Sequence, residues 1–255
     1  MDFRHEYKYI ISTQQALILK NRIATIMSRD AHAGQSGAYE IRSIYFDDIN
    51  DSCYYQNEAG TDPRSKYRIR IYNGSKDQIV LEKKIKQNGM TKKLHQDLTM
   101  AQFEMLTGMS VDENAENVES IESIESMEPD LCHIGHQLWN FDEIYEEPSL
   151  VQELLILKQT RLMQPKVIVS YERTPFVENN GNVRVTFDDG ICSSADFGAF
   201  FHTDLHARKI LPQGQTLMEV KFDEFLPAYI KEVLENGHMR QTTFSKYYLC
   251  RRYHL

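Results

Sequence analysis

The segment Lys66-Tyr67-Arg68-Ile69-Arg70-Ile71-Tyr72 constrains this chain most, because basic and apolar residues alternate along it. Successive side chains of a β-strand point to opposite faces, so Lys66, Arg68 and Arg70 share one face and Tyr67, Ile69 and Ile71 the other. The pattern recurs. Arg4, Glu6 and Lys8 oppose Phe3, Tyr7 and Tyr9, and Glu82, Lys84 and Lys86 oppose Leu81, Lys83 and Ile85. Arg184, Thr186 and Asp188 oppose Val183, Val185 and Phe187, while Glu219 and Lys221 oppose Met218, Val220 and Phe222. Tyr171 and Arg173 share a face with Val167 and Val169. For one strand alone, a solvated face is the ordinary reading. Six strands whose polar faces are mostly Arg and Lys, with single carboxylates among them, point elsewhere. They predict an α+β fold: a closed, eight-stranded antiparallel β-barrel with a charged lumen and helices packed outside.

The remaining elements fit that plan. Helical patterns cover Ala16–Met27, Met100–Met109, Ser149–Gln159 and Pro227–Asn236, the last stopping at Gly237. Strands are expected at Tyr39–Asp47, Ser65–Tyr72, Gln78–Lys86 and Lys92–Leu98, with Asn73-Gly74-Ser75 as a hairpin signal. Further strands are expected at Lys166–Arg173, Asn182–Asp188, Gly190–Ser193 and Thr216–Phe222. No Pro/Gly-rich linker divides residues 1–255, which predicts a single domain with an acidic helical insertion around 100–160. The near-repeat Ile121-Glu122-Ser123-Ile124-Glu125-Ser126 is too short for a repeat architecture.

The net charge of −8 conceals two extremes. Residues 64–93 hold ten Lys or Arg against Asp77 and Glu82, whereas residues 112–147 hold twelve acids and no Lys or Arg. A local basic field, more than net charge, captures an anion. Cys53, Cys132, Cys192 and Cys250 are far apart and form no C-x-x-C pair, so a reducing cytoplasm fits. Cys132-His133…His136 reads as a surface turn with ordinary histidines, since a zinc site wants two paired clusters. No signal peptide and no apolar run of membrane-spanning length are visible.

A lumen crowded with like charges is costly to leave without a counter-ion, and a polyanion relieves it. Arg forks match phosphate oxygens in pairs, and Lys adds mobile point charges. Sparse inward carboxylates suit Mg²⁺ or Mn²⁺ bridging to phosphates. No Walker-type or G-x-G-x-x-G loop accounts for the basic residues. Nucleic acid would need those residues on an open surface with stacking aromatics, but here the aromatics alternate away from them.

Together these segments resemble the VTC domain, the polyphosphate polymerase domain of the vacuolar transporter chaperone type within the triphosphate tunnel metalloenzymes. The matching pieces run in order: Arg4–Tyr9, Ile41–Asp47, Lys66–Tyr72, Leu81–Lys84, Tyr171–Arg173, Arg184–Asp188, Glu219–Lys221 and Phe244–Tyr247. The resemblance implies that Lys8, Arg68, Arg70, Lys84, Arg173, Arg184 and Lys246 contact phosphate. Lys86 and one or both of Lys92 and Lys93 join them. Arg42, Lys66 and Lys221 are further substrate-binding candidates, and Tyr171 and Ser245 supply hydroxyls. Glu219 falls on the metal-binding glutamate, with Glu6 and Glu82 as helpers for Mn²⁺ or Mg²⁺. Arg4 replaces the first carboxylate of the Glu-x-Glu-x-Lys motif found in simple triphosphatases.

The implied activity is transfer of the γ-phosphate of ATP to a growing inorganic polyphosphate chain. Lys84, Lys221 and Lys246 would then line the product's path. Hydrolysis of triphosphate or polyphosphate, and a non-catalytic polyphosphate-binding module, are the alternatives. A membrane-protein partner that receives the product is compatible with the sequence, which leaves oligomeric state open.

Overall fold

The computed structural model describes residues 3–34, 36–110, 148–235 and 239–255. The acidic stretch, its near-repeat, Cys132-His133…His136 and the helix stop at Gly237 lie outside the described residues. Eight long antiparallel strands are present: β1 (His5–Ser12), β2 (Tyr39–Asp47), β3 (Arg64–Tyr72), β4 (Ile79–Gln87), β5 (Met90–Leu98), β6 (Gln164–Glu178), β7 (Val183–Ser194) and β8 (Gln215–Phe222). Their spatial order is β1-β8-β7-β6-β2-β3-β4-β5. The sheet curls until its edges meet, where Arg4 and Thr91 exchange backbone hydrogen bonds of 2.9 and 3.0 Å between the β1 and β5 edges. Two-residue strands at Ser28–Arg29 and Arg208–Lys209 extend β6 and β7.

Local sequence explains the joints. Helices α1 (Thr13–Ile23), α3 (Met100–Thr107) and α4 (Leu150–Arg161) each begin with a Ser or Thr cap and a Gln three residues on. In each, cap and Gln satisfy one another's backbone N–H, the capping-box arrangement. Asn88 and Gly89, both at positive φ, make the tight turn between β4 and β5. Gly181 precedes β7, and a Cβ there would meet the Phe225 carbonyl at 2.7 Å.

The strand faces divide as the alternation predicts. Ile69, Ile71 and Leu81 lie on the outer face and pack beneath α3 and α4. Val185, Phe187, Met218 and Val220 pack beneath α1 and α5 (Ala228–Leu234). Two features depart from expectation. β7 is one strand with a register shift against β6 between Ser170 and Glu172, so Asp188 and Ile191 belong to one element. Also, α6 (Lys246–Arg252) packs on the inner face, where Tyr247 and Cys250 meet Tyr45, Val167 and Val169. The inner face therefore carries an apolar patch beneath α6 beside its charged residues. Among the described residues no helix is long and apolar enough to cross a membrane.

Candidate active site in the lumen

Four buried carboxylates organise the cations of the lumen. Asp188, 0% exposed, accepts both prongs of the Arg173 guanidinium at 2.6 and 2.7 Å and lies 2.6 Å from Lys246 Nζ. Glu219, next to it on β8, sits 3.0 Å from Lys246, 3.2 Å from Lys221, 3.4 Å from Arg173 and 3.8 Å from Lys8. Glu6 on β1 holds Lys84 at 2.7 Å across the lumen and lies 3.4 Å from Lys221 and 3.6 Å from Lys8. Glu82 on β4 holds Arg68 at 2.6 Å, Lys93 at 2.7 Å and Arg70 at 3.6 Å. Register explains the meetings: Arg173 faces Asp188, Lys8 faces Glu219, and Arg68 faces Glu82 on neighbouring strands.

These contacts set the charge states. Burial pushes the Glu6, Glu82 and Glu219 carboxyls upward, but the surrounding Lys and Arg outweigh it and hold all three well below the ordinary glutamate range. Burial likewise opposes the charge on Lys246, and Asp188 and Glu219 more than restore it. Lys84 differs. Burial, reinforced by Lys8 and Lys221, holds its pKa down at about 7 despite the Glu6 carboxylate.

Hydroxyls complete the wall. Arg68 donates to Tyr45 Oη at 2.7 Å, while Arg70 reaches Ser43 Oγ and Tyr171 Oη at 3.4 Å each. The Tyr171 ring lies under Lys246 at 4.7 Å and Arg173 at 5.2 Å. Lys66 donates to Ser245 Oγ, the cap of α6. Arg184 faces Lys221 in the register and is held toward Asp30 and Tyr39. Among the described residues, Lys8, Arg64, Lys66, Arg68, Arg70, Lys84, Lys86, Lys93, Arg173, Arg184, Lys221 and Lys246 thus share the inner face. Five carboxylates, Glu6, Asp30, Glu82, Asp188 and Glu219, stand against them.

A family model of the VTC domain matches residues 3–254. The chain belongs to the VTC domain family. No curated protein matches it. Among solved structures, a Bacillus halodurans protein provisionally described as an adenylate cyclase is similar at 13% identity and a TM-score of 0.41, over 92% of this chain and 87% of its own. A conserved hypothetical protein of Pyrococcus furiosus aligns at 10% identity and a TM-score of 0.39, over 91% of this chain and 85% of its own. Membership of the VTC family, with this lumen, supports a function on polyphosphate or triphosphate.

Two expected ligands of this VTC domain fall elsewhere. Arg42 lies on the outer face of β2, because the inner positions are Ile41, Ser43 and Tyr45. It pairs with Glu40 at 2.6 Å and donates to the carbonyls of Phe200 and His202. Lys92 faces outward beside Ile85 and lies over the Phe3 ring, leaving Lys93 as the inward lysine. Sequence reasoning missed Asp188, whose position two residues beyond Thr186 and four beyond Arg184 was its only signal. Asp30 and Tyr45 were missed as well.

The residues also bear on the metal that the family implies. Among the described residues no three His, Cys, Asp or Glu side chains converge as a complete cage. Glu6 and Glu219 share Lys8 and Lys221 as counter-ions and so face one volume. Two carboxylates suit an ion that takes its other oxygens from phosphate and water. Glu82 has one oxygen on Arg68 and the other on Lys93, and acts as their counter-ion.

Proposed function

We propose that this VTC domain is a metal-dependent polyphosphate polymerase, transferring the γ-phosphate of ATP to the end of an inorganic polyphosphate chain. The observation that carries the reading is the set of Arg forks pre-positioned by buried carboxylates: Arg173 by Asp188, and Arg68 with Arg70 by Glu82. In phosphoryl transfer the nucleophile needs little activation, and positioning with charge neutralisation dominates. A terminal phosphate oxygen of the acceptor attacks the γ-phosphorus, the β–γ P–O bond breaks, and ADP departs with the electron pair. Arg68, Arg70 and Arg173 orient the transferred group. Lys246, kept charged by Asp188 and Glu219, neutralises charge beside it. Glu219 with Glu6 would hold Mn²⁺ or Mg²⁺, which when bound adds neutralisation on the phosphate oxygens.

Incubation of the protein with ATP and Mn²⁺ is expected to give a phosphate polymer on a gel, with one ADP per phosphate added. Release of orthophosphate without polymer by folded protein would assign hydrolysis instead. Glu219→Gln is expected to abolish turnover while changing polyphosphate affinity little. A large loss of affinity in that variant would place Glu219 in the binding framework rather than in transfer.

A further inference from the structure

The carboxylates of the lumen are unevenly placed. Glu6, Glu219 and Asp188 gather Lys8, Lys84, Lys221, Lys246 and Arg173, and Glu82 gathers Arg68, Arg70 and Lys93. Toward the Arg64 end of β3 the same face carries a second ladder of cations. Arg64 stands opposite Lys86, and Lys66 stands opposite Lys84. Among the described residues no carboxylate lies within ion-pair distance of Arg64, Lys66 or Lys86, whereas Lys84, the shared rung, has Glu6.

Lys66 shows the consequence. Its half-buried ammonium donates to Asn57 Oδ1 at 3.0 Å and Ser245 Oγ at 3.1 Å and lies over the Tyr247 ring at 5.1 Å, all of them neutral partners. Burial, with repulsion from Arg64, Lys84 and Lys8, holds its pKa down at about 7. Neutral oxygens compensate a desolvated ammonium incompletely, and an anion supplies what is missing. A divalent ion would find no carboxylate here to hold it.

We propose that Lys66, Lys86 and Arg64, with the Ser245 hydroxyl, form a metal-free phosphate subsite that takes the inorganic polyphosphate strand, while the carboxylate-bearing cluster takes the nucleotide triphosphate with its divalent ion. The identification of that strand as acceptor and product rests on the polymerase reading; the asymmetry of charge does not. The polymer path thereby shifts from Lys84, Lys221 and Lys246, which surround Glu6 and Glu219, to the ladder beyond them.

The test is calorimetric titration with two ligands: inorganic polyphosphate without metal or nucleotide, and ATP with Mn²⁺. Lys66→Met is expected to weaken polyphosphate binding by about tenfold or more, the loss of one charge-assisted contact. Binding of ATP with Mn²⁺ should stay within about twofold, a change too small for a lost charged contact. Its melting temperature should not fall, since an incompletely compensated ammonium has been removed. Lys86→Ala carries the same binding expectation if Lys66→Met does not fold. Equal losses for the two ligands, or polyphosphate binding unchanged in both variants, would overturn the subsite. Polymer synthesis by the parent protein separates the two ideas. Selective loss of polyphosphate binding with no synthesis by the parent leaves the subsite standing and removes the polymerase reading. Synthesis by the parent, with normal polyphosphate binding by both variants, removes the subsite alone.

Discussion

Asp188 shows how much one residue can decide in a crowded lumen. Its carboxylate is fully buried, and burial pushes its pKa up, but Arg173 and Lys246 outweigh that and keep it ionised. Both cations in turn take their positions from it. Replacement by Asn keeps the shape and removes the charge, so Arg173 loses its fork and Lys246 retains only Glu219. A misplaced clamp of this kind costs about 100-fold in turnover. Asp188→Asn is therefore expected to lower kcat by about that factor, with a smaller change in KM, because the phosphates still meet the other cations. Steady-state kinetics at a temperature where the variant stays folded checks this. Unchanged kcat with only a lowered melting temperature would make Asp188 structural. The sequence put Asp188 on the right face, but its partner comes from the register of β6 against β7, which alternation within one strand does not specify.

At the scale of elements, the strands were legible because their period of two is strict, whereas α2 (Ser52–Glu58) was not. Its cap residue Asp51 sits at φ 52° and makes no side-chain cap. The orphan N–H groups of Cys53 and Tyr54 instead donate to Asp47, the last residue of β2, at 2.9 and 3.0 Å. A helix start supplied by the preceding strand leaves no capping signal of its own. Asp47 also accepts a hydrogen bond from the Tyr247 hydroxyl on α6, so one buried carboxylate ties α2 to α6. The inner placement of α6 escaped sequence reasoning for a related reason: Tyr45, Val167 and Val169 look like ordinary strand residues until their face is assigned. Tyr247→Phe removes one hydrogen bond to a charged group, worth about 1.5–3 kcal/mol. Urea unfolding should show a lower midpoint with an unchanged slope. A midpoint equal to the parent's would mean that packing of the ring alone holds α6.

For the whole molecule, a net charge of −8 encloses an inner face on which cations outnumber carboxylates, and pH should pull its stability and its binding in opposite directions. Lys66 and Lys84 have pKa values of about 7 in the folded protein, against about 10.4 for a lysine in an unfolded chain. Between those values the unfolded chain binds protons that the folded one lacks, so these two groups make stability rise as pH increases from 7 toward 10. A bound polyanion favours the charged ammoniums and draws their pKa values back up. The complex then holds more protons than the free protein, and affinity falls over the same range, by up to about tenfold per pH unit for each proton taken up. The acid limb runs the other way for folding. Glu6, Glu82 and Glu219 are depressed, so their contribution is complete above the ordinary glutamate range and is lost as pH falls below it. Titrating polyphosphate at constant ionic strength from pH 6.5 to 9, beside urea unfolding at each pH, measures both slopes. Affinity that is flat or rises with pH would mean that Lys66 and Lys84 do not change protonation on binding, and the lumen would then capture phosphate through its permanently charged Arg forks.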